Sequence, residues 1–245
     1  MARLAQAIVS AGQLSDGLVD ATLVREIGAA GYERDLGKSL DLREMLRHAP
    51  ARVAAQGHPE RAWRRISVDL DTCTVTRPPG LMLDSGGIAK GFFADVLAEE
   101  LAGHAGFAFN CAGDLRVGGA GGLRRTVHVE SPFDGTVLHS FELTDAGIAT
   151  SGIGRRSWAD AHGRPAHHLL DPSSGRPAFT GVVQASALAP SALIAEVRAK
   201  AALLSGPRGG AAWLRDGGVM VLDDGSHVVF QAPARVTLRE LAALM

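Results

Sequence analysis

The stretch Leu83-Asp84-Ser85-Gly86-Gly87-Ile88-Ala89-Lys90-Gly91 decides the fold. An apolar run ends on a carboxylate, two glycines relax the backbone, and a helical pattern opens with its first N–H groups unsatisfied. A strand-to-helix turn of this kind suits an anion at the helix start, with Lys90 as an added point charge. A tight turn bearing a solvated lysine accounts for the same residues, and spacing alone slightly favours it. Neither the Gly-x4-Gly-Lys-Ser/Thr spacing of a phosphate loop nor GxGxxG is present.

Outward from this turn, a helix is expected over 88–101, with Phe92, Val96 and Leu97 as its apolar face and Lys90, Glu99 and Glu100 on its polar one. Upstream, residues 65–84 take a period of two and read as strand, turn centred on Asp71, strand, Pro-Pro-Gly turn, strand. The first 65 residues read as helical, through Leu4, Ile8 and Val9 and again through Leu18, Leu23 and Ile27. Ser15 or Asp16 is placed to cap a helix running through Val24 to Ile27. Downstream, strands are predicted over 106–110, 115–117, 126–130, 138–143 and 181–188, and a helix over 191–204. Two strands, 219–222 and 227–231, and a helix over 237–244 close the chain. Strands meeting at hairpins and interrupted by isolated helices give an α+β class: antiparallel sheet with packed helices, one domain over 1–245.

Composition narrows the function. The 245 residues are 46% hydrophobic and 21% charged, enough apolar surface for a folded core without disulfide staples. A net charge of −1 gives no general attraction to nucleic acid or to an anionic membrane. No run approaches the length of a transmembrane helix. Cys73 and Cys111 lack CxxC spacing and read as buried free thiols. Only three basic residues are lysines, Lys38, Lys90 and Lys200, which singles out each of them.

Three further segments could carry chemistry. Asn110-Cys111-Ala112-Gly113-Asp114 suits close approach of a ligand, and equally a hairpin turn. Thr150-Ser151-Gly152 is followed by Arg155-Arg156 and then by His167-His168-Leu169-Leu170-Asp171-Pro172-Ser173-Ser174-Gly175-Arg176-Pro177, a strand leading into a strong turn. Histidine is the side chain matched to proton transfer near neutral pH. Adjacent histidines on a strand point to opposite faces, so at most one of the pair faces a site. HExxH and GxSxG are both absent, which removes the usual zinc-protease and serine-hydrolase signatures.

Taken in order, these segments resemble the ApbE family of FAD:protein FMN transferases. Its members look like Ser-Asp-Gly-Ala-Phe-Asp, here Ser15-Asp16-Gly17-Leu18-Val19-Asp20, and Asp-Leu-Gly/Ser-Gly/Ala-Ile-Ala-Lys-Gly, here Asp84 to Gly91. Asn-Ala-Gly-Gly-Asp, Thr-Ser-Gly and His-Ile-Ile-Asp-Pro-x-Thr-Gly-x-Pro follow, here Asn110 to Asp114, Thr150 to Gly152 and His168 to Pro177. The motifs run in order from Gly12 onward, and together they are specific where each alone is not.

The resemblance implies a tunnelling-fold-like α+β domain that binds FAD in an extended cleft. Such a protein cleaves the FAD pyrophosphate, joins the FMN half to a threonine or serine hydroxyl of an acceptor protein, and releases AMP, with Mg2+ bridging the phosphates. By position, Leu18, Val19, Asp20, Asp84, Lys90, Asp114 and Leu169 would line the FAD site, and His168 would activate or orient the acceptor hydroxyl. The metal ligands would fall at the Gly87 carbonyl and at two positions of the late helix where members carry an aspartate and, four residues on, a threonine. Here these are Glu196 and Lys200, and an ammonium cannot ligate a metal. Lys200 would either pair with Glu196, cancelling the metal site, or contact the pyrophosphate and partly replace the ion. Members also carry a further strand and helix before the Ser-Asp-Gly motif, part of the flavin wall. Two other activities share the same cleft: an FAD pyrophosphatase with water as acceptor, and a catalytically silent flavin or nucleotide binder.

Overall fold

The computed structural model describes residues 1–32 and 39–231, so the helix expected over 237–244 lies outside the described residues. The chain opens with helices α1 (Ala2–Leu14), α2 (Val24–Ala29) and α3 (Leu42–Arg47), a 3-10 turn at Ala62–Arg65, and the hairpin β1 (Ser67–Asp69) and β2 (Thr74–Thr76). Helix α4 (Ala89–Glu100) leads into β3 (Phe107–Cys111), β4 (Asp114–Gly118), β5 (Arg125–Glu130), β6 (Val137–Leu143) and β7 (Ala146–Gly152). Four short strands follow: β8 (Ser157–Ala159), β9 (Pro165–His167), β10 (Leu170–Asp171) and β11 (Arg176–Pro177). Then come β12 (Val182–Ala189), α5 (Ala192–Leu204), α6 (Gly206–Gly210), a 3-10 turn at Ala211–Trp213, β13 (Gly218–Leu222) and β14 (His227–Phe230).

Six strands make one antiparallel sheet in the order β14-β13-β12-β7-β4-β3. Helix α5 packs on β7 and β12, and α4 lies beside it over β3 and β4. Small residues make this approach possible. Ala149, Ala185 and Ala187 on the strands and Ala192, Ala195, Ala199 and Ala202 on α5 are fully buried. At Gly147 an added Cβ would lie 2.4 Å from the Ser191 carbonyl carbon, so the start of α5 sits directly on β7.

The core has two main parts. Leu203, Leu204, Val219, Met220 and Val221 belong to the larger one, under the sheet end of α5. Ile8, Trp63, Ile66, Ile88 and Val197 form the second, between α1, the first 3-10 turn and α5. Helix α5 therefore contributes to both, and burying a leucine such as Leu203 is worth about 1.5–3 kcal/mol.

The α+β antiparallel expectation holds, and the predicted strands and helix between residues 106 and 231 agree with the observed ones to within one residue at each end. Four expectations are corrected. The buried face of α4 is Gly91, Ala94 and Ala98, while Phe92 and Val96 are half-buried and Leu97 is exposed. The reason is the closeness of α5, which admits only small side chains. Ser15 does not open a helix: its hydroxyl donates to the Ala11 carbonyl (2.7 Å) and accepts from the Val19 N–H (2.9 Å), closing α1. Asp16 then takes a left-handed φ of 51°, and α2 starts only at Val24, with no side-chain cap. The third strand read within 65–84 is a segment without a ladder, tied by the Asp84 N–H to the Ala21 carbonyl (2.8 Å). Cys73 is exposed in the β1–β2 turn at φ 54°, and Cys111 is half-buried.

Candidate active site

The turn between Asp84 and α4 is built locally. The Gly86 N–H donates to the Asp84 side chain (2.8 Å), and the Ser85 carbonyl accepts from the Ile88 and Ala89 N–H groups (2.9 and 2.8 Å). Opposite stands His168, between β9 and β10. Its Nδ1 lies 3.3 Å from the Arg156 carbonyl oxygen. A carbonyl only accepts, so Nδ1 carries the proton of the neutral ring and Nε2 keeps its lone pair. Burial pushes the His168 imidazole down to about 4, with the Arg156 carbonyl opposing and the positive charges of Arg156, Lys200 and Lys90 adding to the effect. The neighbouring His167 faces the other way, fully buried and edge-on to Phe179 at 4.8 Å between ring centroids.

These segments enclose a cavity of about 120 Å³. Pockets for drug-sized ligands run to about 300–1,000 Å³, so this space would enclose only a portion of a dinucleotide. Its lining includes Leu18, Val19 and Asp20, then Asp84 and Gly87, then His168 and Leu169, and finally Lys200. Eight of the residues singled out in the sequence thus meet at one place. Asp20 is held by its own turn, its Oδ1 accepting from the Thr22 N–H (2.8 Å) and hydroxyl (2.6 Å).

Three residues from the sequence reading stand behind the cavity. Asp114 is 1% exposed; its Oδ1 accepts from the Thr150 N–H at 3.2 Å, and Lys90 Nζ lies 2.6 Å from Oδ2. The Asn110–Asp114 segment is the β3–β4 hairpin turn, with left-handed φ at Ala112 and Gly113. Glu196 is also 1% exposed, with Oε2 accepting from the Gly91 N–H (2.8 Å) and Oε1 from the Lys200 ammonium (2.9 Å). Burial pushes the Glu196 carboxyl up, Lys200 opposes this, and the charge of Asp114 adds to it.

Sequence reasoning did not assign Tyr32, Leu23, Ile27 or Arg156, which also line the cavity. Tyr32 is the only tyrosine, and its ring lies 5.3 Å from that of Trp158. Arg156 belongs to the basic pair Arg155-Arg156, and its place in the sequence shortly before the histidine turn is the signal that points to it. A larger groove of about 800 Å³ lies along α1 and α4, lined among others by Arg3, Phe92, Glu99 and Arg116. None of the motif residues reaches it.

The residues at the expected metal position do not suit Mg2+. That ion demands near-octahedral oxygen ligation. Here the Glu196 carboxylate has both oxygens engaged, and the remaining side chain is an ammonium with no lone pair. Among the described residues, no group of three or more His, Cys, Asp and Glu side chains is arranged to hold a metal ion. No described helix is long and apolar enough to cross a membrane.

The architecture and the site together define the class: an α+β protein whose cleft gathers a histidine, two carboxylates and two cations around a glycine-rich helix start. The chain belongs to the ApbE family, whose family model matches residues 1–222. It is 32% identical over 151 residues to a protein of Treponema pallidum and 30% identical over 135 residues to one of Escherichia coli strain K12, both named FAD:protein FMN transferase. Those matches take in 56% and 53% of this chain but only 41% and 38% of the relatives' own length. Two solved structures share the fold. The ApbE protein of Thermotoga maritima aligns with a TM-score of 0.71 at 24% identity, over 93% of this chain and 74% of its own. The Pseudomonas stutzeri flavinyl transferase ApbE aligns at 0.67 and 22% identity, over 97% and 74%.

Proposed function

We propose that this protein is an FAD:protein FMN transferase, moving FMN from FAD to a threonine or serine hydroxyl of an acceptor protein. The observation that carries the reading is the convergence of Asp20, Asp84, Gly87, His168 and Lys200, from three separate motifs and the late helix, on one cavity. The names of the relatives supply the substrate. In this reading Leu18, Val19, Asp20, Asp84 and Leu169 hold FAD, and Lys90, held by Asp114 from behind, adds positive charge at the start of α4.

Phosphoryl transfer asks little covalent chemistry of a protein; it needs positioning, charge stabilisation and a place for the nucleophile's proton. The acceptor hydroxyl attacks the FMN phosphorus in line. A new P–O bond forms, the bridging P–O bond of the pyrophosphate breaks, and AMP leaves with the bonding pair. His168 takes the hydroxyl proton on Nε2, because its other nitrogen is committed to the Arg156 carbonyl. With its imidazole held down to about 4, His168 is neutral at pH 7 and free to accept. The phosphates of bound FAD would raise its basicity when transfer occurs.

The test is incubation with FAD and an acceptor polypeptide carrying the target hydroxyl, with AMP and covalently bound flavin followed together. Covalent flavin with stoichiometric AMP is expected. AMP without covalent flavin would assign the protein as an FAD pyrophosphatase, and bound FAD with neither product would make it a silent binder.

A further inference from the structure

We propose that the Lys200 ammonium stands in for a divalent cation in this protein, a tethered charge that faces the pyrophosphate of bound FAD. The proposal rests on the flavin reading of the cavity and goes on to say how its charge is met.

Three observations carry it. First, the carboxylate best placed for a metal is already used. Glu196 is 1% exposed, its Oε2 is taken by the Gly91 N–H at 2.8 Å, and its Oε1 by Lys200 Nζ at 2.9 Å. A metal would have to displace the ammonium and share the site with it, at a repulsion that low-dielectric surroundings magnify. Second, Lys200 fills the space in front of Gly87. A Cβ placed on Gly87 would touch Lys200 Cε at 3.5 Å, ordinary van der Waals contact. The lysine stem thus packs on the residue whose carbonyl would be the other ligand. Third, Lys200 is not buried out of reach. Its side chain is 12% exposed and lines the cavity with Asp84, Gly86, Arg156 and His168. An ammonium has three donors; Glu196 engages one, which leaves donors for phosphate oxygens.

The arrangement is physically coherent. A buried carboxylate without a partner is costly, and a lysine one helical turn away is within reach to pair with it. The pair fixes the ammonium in place before substrate arrives, so little side-chain freedom is lost on binding. A single ammonium carries half the charge of Mg2+. Arg156, on the same cavity, supplies further positive charge.

The experiment is flavin-fluorescence titration of the purified protein with FAD and with riboflavin, which lacks the phosphates, in EDTA and in millimolar Mg2+. The wild type is expected to bind FAD equally well in both buffers. Lys200→Met should weaken FAD by about tenfold or more, the range of a charge-assisted hydrogen bond, and leave riboflavin unchanged. Lys200→Thr, which supplies an oxygen in place of the ammonium, should weaken FAD in EDTA and recover in Mg2+. Either single change leaves Glu196 buried without its partner, so the double variant Glu196→Gln/Lys200→Met is titrated beside them and should show the same selective loss. FAD binding by the wild type that requires Mg2+, or undiminished FAD binding by both Lys200→Met and the double variant, would overturn the proposal. Metal-free FAD binding that depends on Lys200, without covalent transfer to any acceptor, would leave the proposal standing and remove the transferase reading. Absence of FAD binding in both buffers would remove both.

Discussion

Gly91→Ala adds a single methyl group at the crossing of α4 and α5. The new Cβ would lie 2.6 Å from the Ala192 carbonyl oxygen, 2.7 Å from its carbon and 2.8 Å from Leu193 Cα. All three are backbone atoms in the first turn of α5, so no side-chain rotation relieves them and the helices must part. Overpacking against an unyielding neighbour costs about 3 kcal/mol, the upper end of its usual range. Replacing a helical glycine by alanine returns about 1 kcal/mol of propensity, which leaves a net loss of about 2 kcal/mol. For a chain of this size each kcal/mol moves Tm by about 2–4 °C, so Tm should fall by about 4–8 °C. The same shift draws the Gly91 N–H away from Glu196, and metal-free FAD affinity should drop with it. Gly28→Ala in α2 is the internal control: a Cβ there meets nothing within 4 Å, and helix propensity alone should stabilise by about 0.5–1 kcal/mol. Differential scanning calorimetry of the two variants reads both. A Gly91→Ala Tm at or above the wild type would refute the helix-contact argument.

Stability should fall as the pH drops below 7. His167 is fully buried with its imidazole held down to about 3 by burial, so the unfolded chain binds a proton from about pH 6.5 downward while the folded one does not. The loss is about 1.4 kcal/mol per pH unit at most between those values, with no contribution from this group above them. Urea unfolding at pH 7 and pH 5 measures it, and His167→Asn should flatten the slope. Asp95 accepts from the Ala192 and Leu193 N–H groups at 2.8 and 2.9 Å, whereas Ser191 accepts only from the Ile194 N–H at 3.3 Å. Asp95→Ala should therefore destabilise more than Ser191→Ala, whose expected cost is about 1 kcal/mol, when the two are compared in the same urea titration. His168→Ala should slow flavin transfer by about 10²–10⁴-fold without weakening FAD binding; an equal loss of binding would show that the ring holds substrate rather than a proton.

Much of the fold was legible because its signals are local. Strand-like runs and the turns between them located β3 to β6, β12 to β14 and the helix α5 that follows β12, whereas β7, at the centre of the sheet, was not predicted. The failures share a physical cause, which is that burial is decided by what arrives from elsewhere in the chain. Phe92 and Leu97 look like the core face of α4 by hydrophobicity, yet α5 approaches so closely that Gly91, Ala94 and Ala98 take the interface. Ser15 looks like a helix opener, but its hydroxyl is engaged by the Ala11 carbonyl behind it and the Val19 N–H ahead. The site was legible as motifs and illegible as geometry. The family resemblance named Asp84, His168 and Lys200, but gave no site role to Tyr32 or Arg156, which reach the cavity through the path of the backbone.

The two departures in the late helix are one change in physical terms. Helices α4 and α5 cap each other. Asp95 of α4 accepts from the first N–H groups of α5, and Glu196 of α5 accepts from the Gly91 N–H in the first turn of α4. Each carboxylate satisfies donors that a helix start leaves without internal partners, and each sits where the helix dipole favours negative charge. An aspartate at 196 would be one methylene shorter and less able to span to Gly91, so glutamate serves the cap. Once a buried glutamate is committed there, its second oxygen needs a cation of its own, and Lys200, four residues on, supplies one at 2.9 Å. The lysine side chain then lies along Gly87, which has no side chain to obstruct it. Cap, ion pair and cavity wall are consequences of the same two side chains, so replacing either alone disturbs all three, whereas replacing both spares the core the cost of an unpaired buried charge.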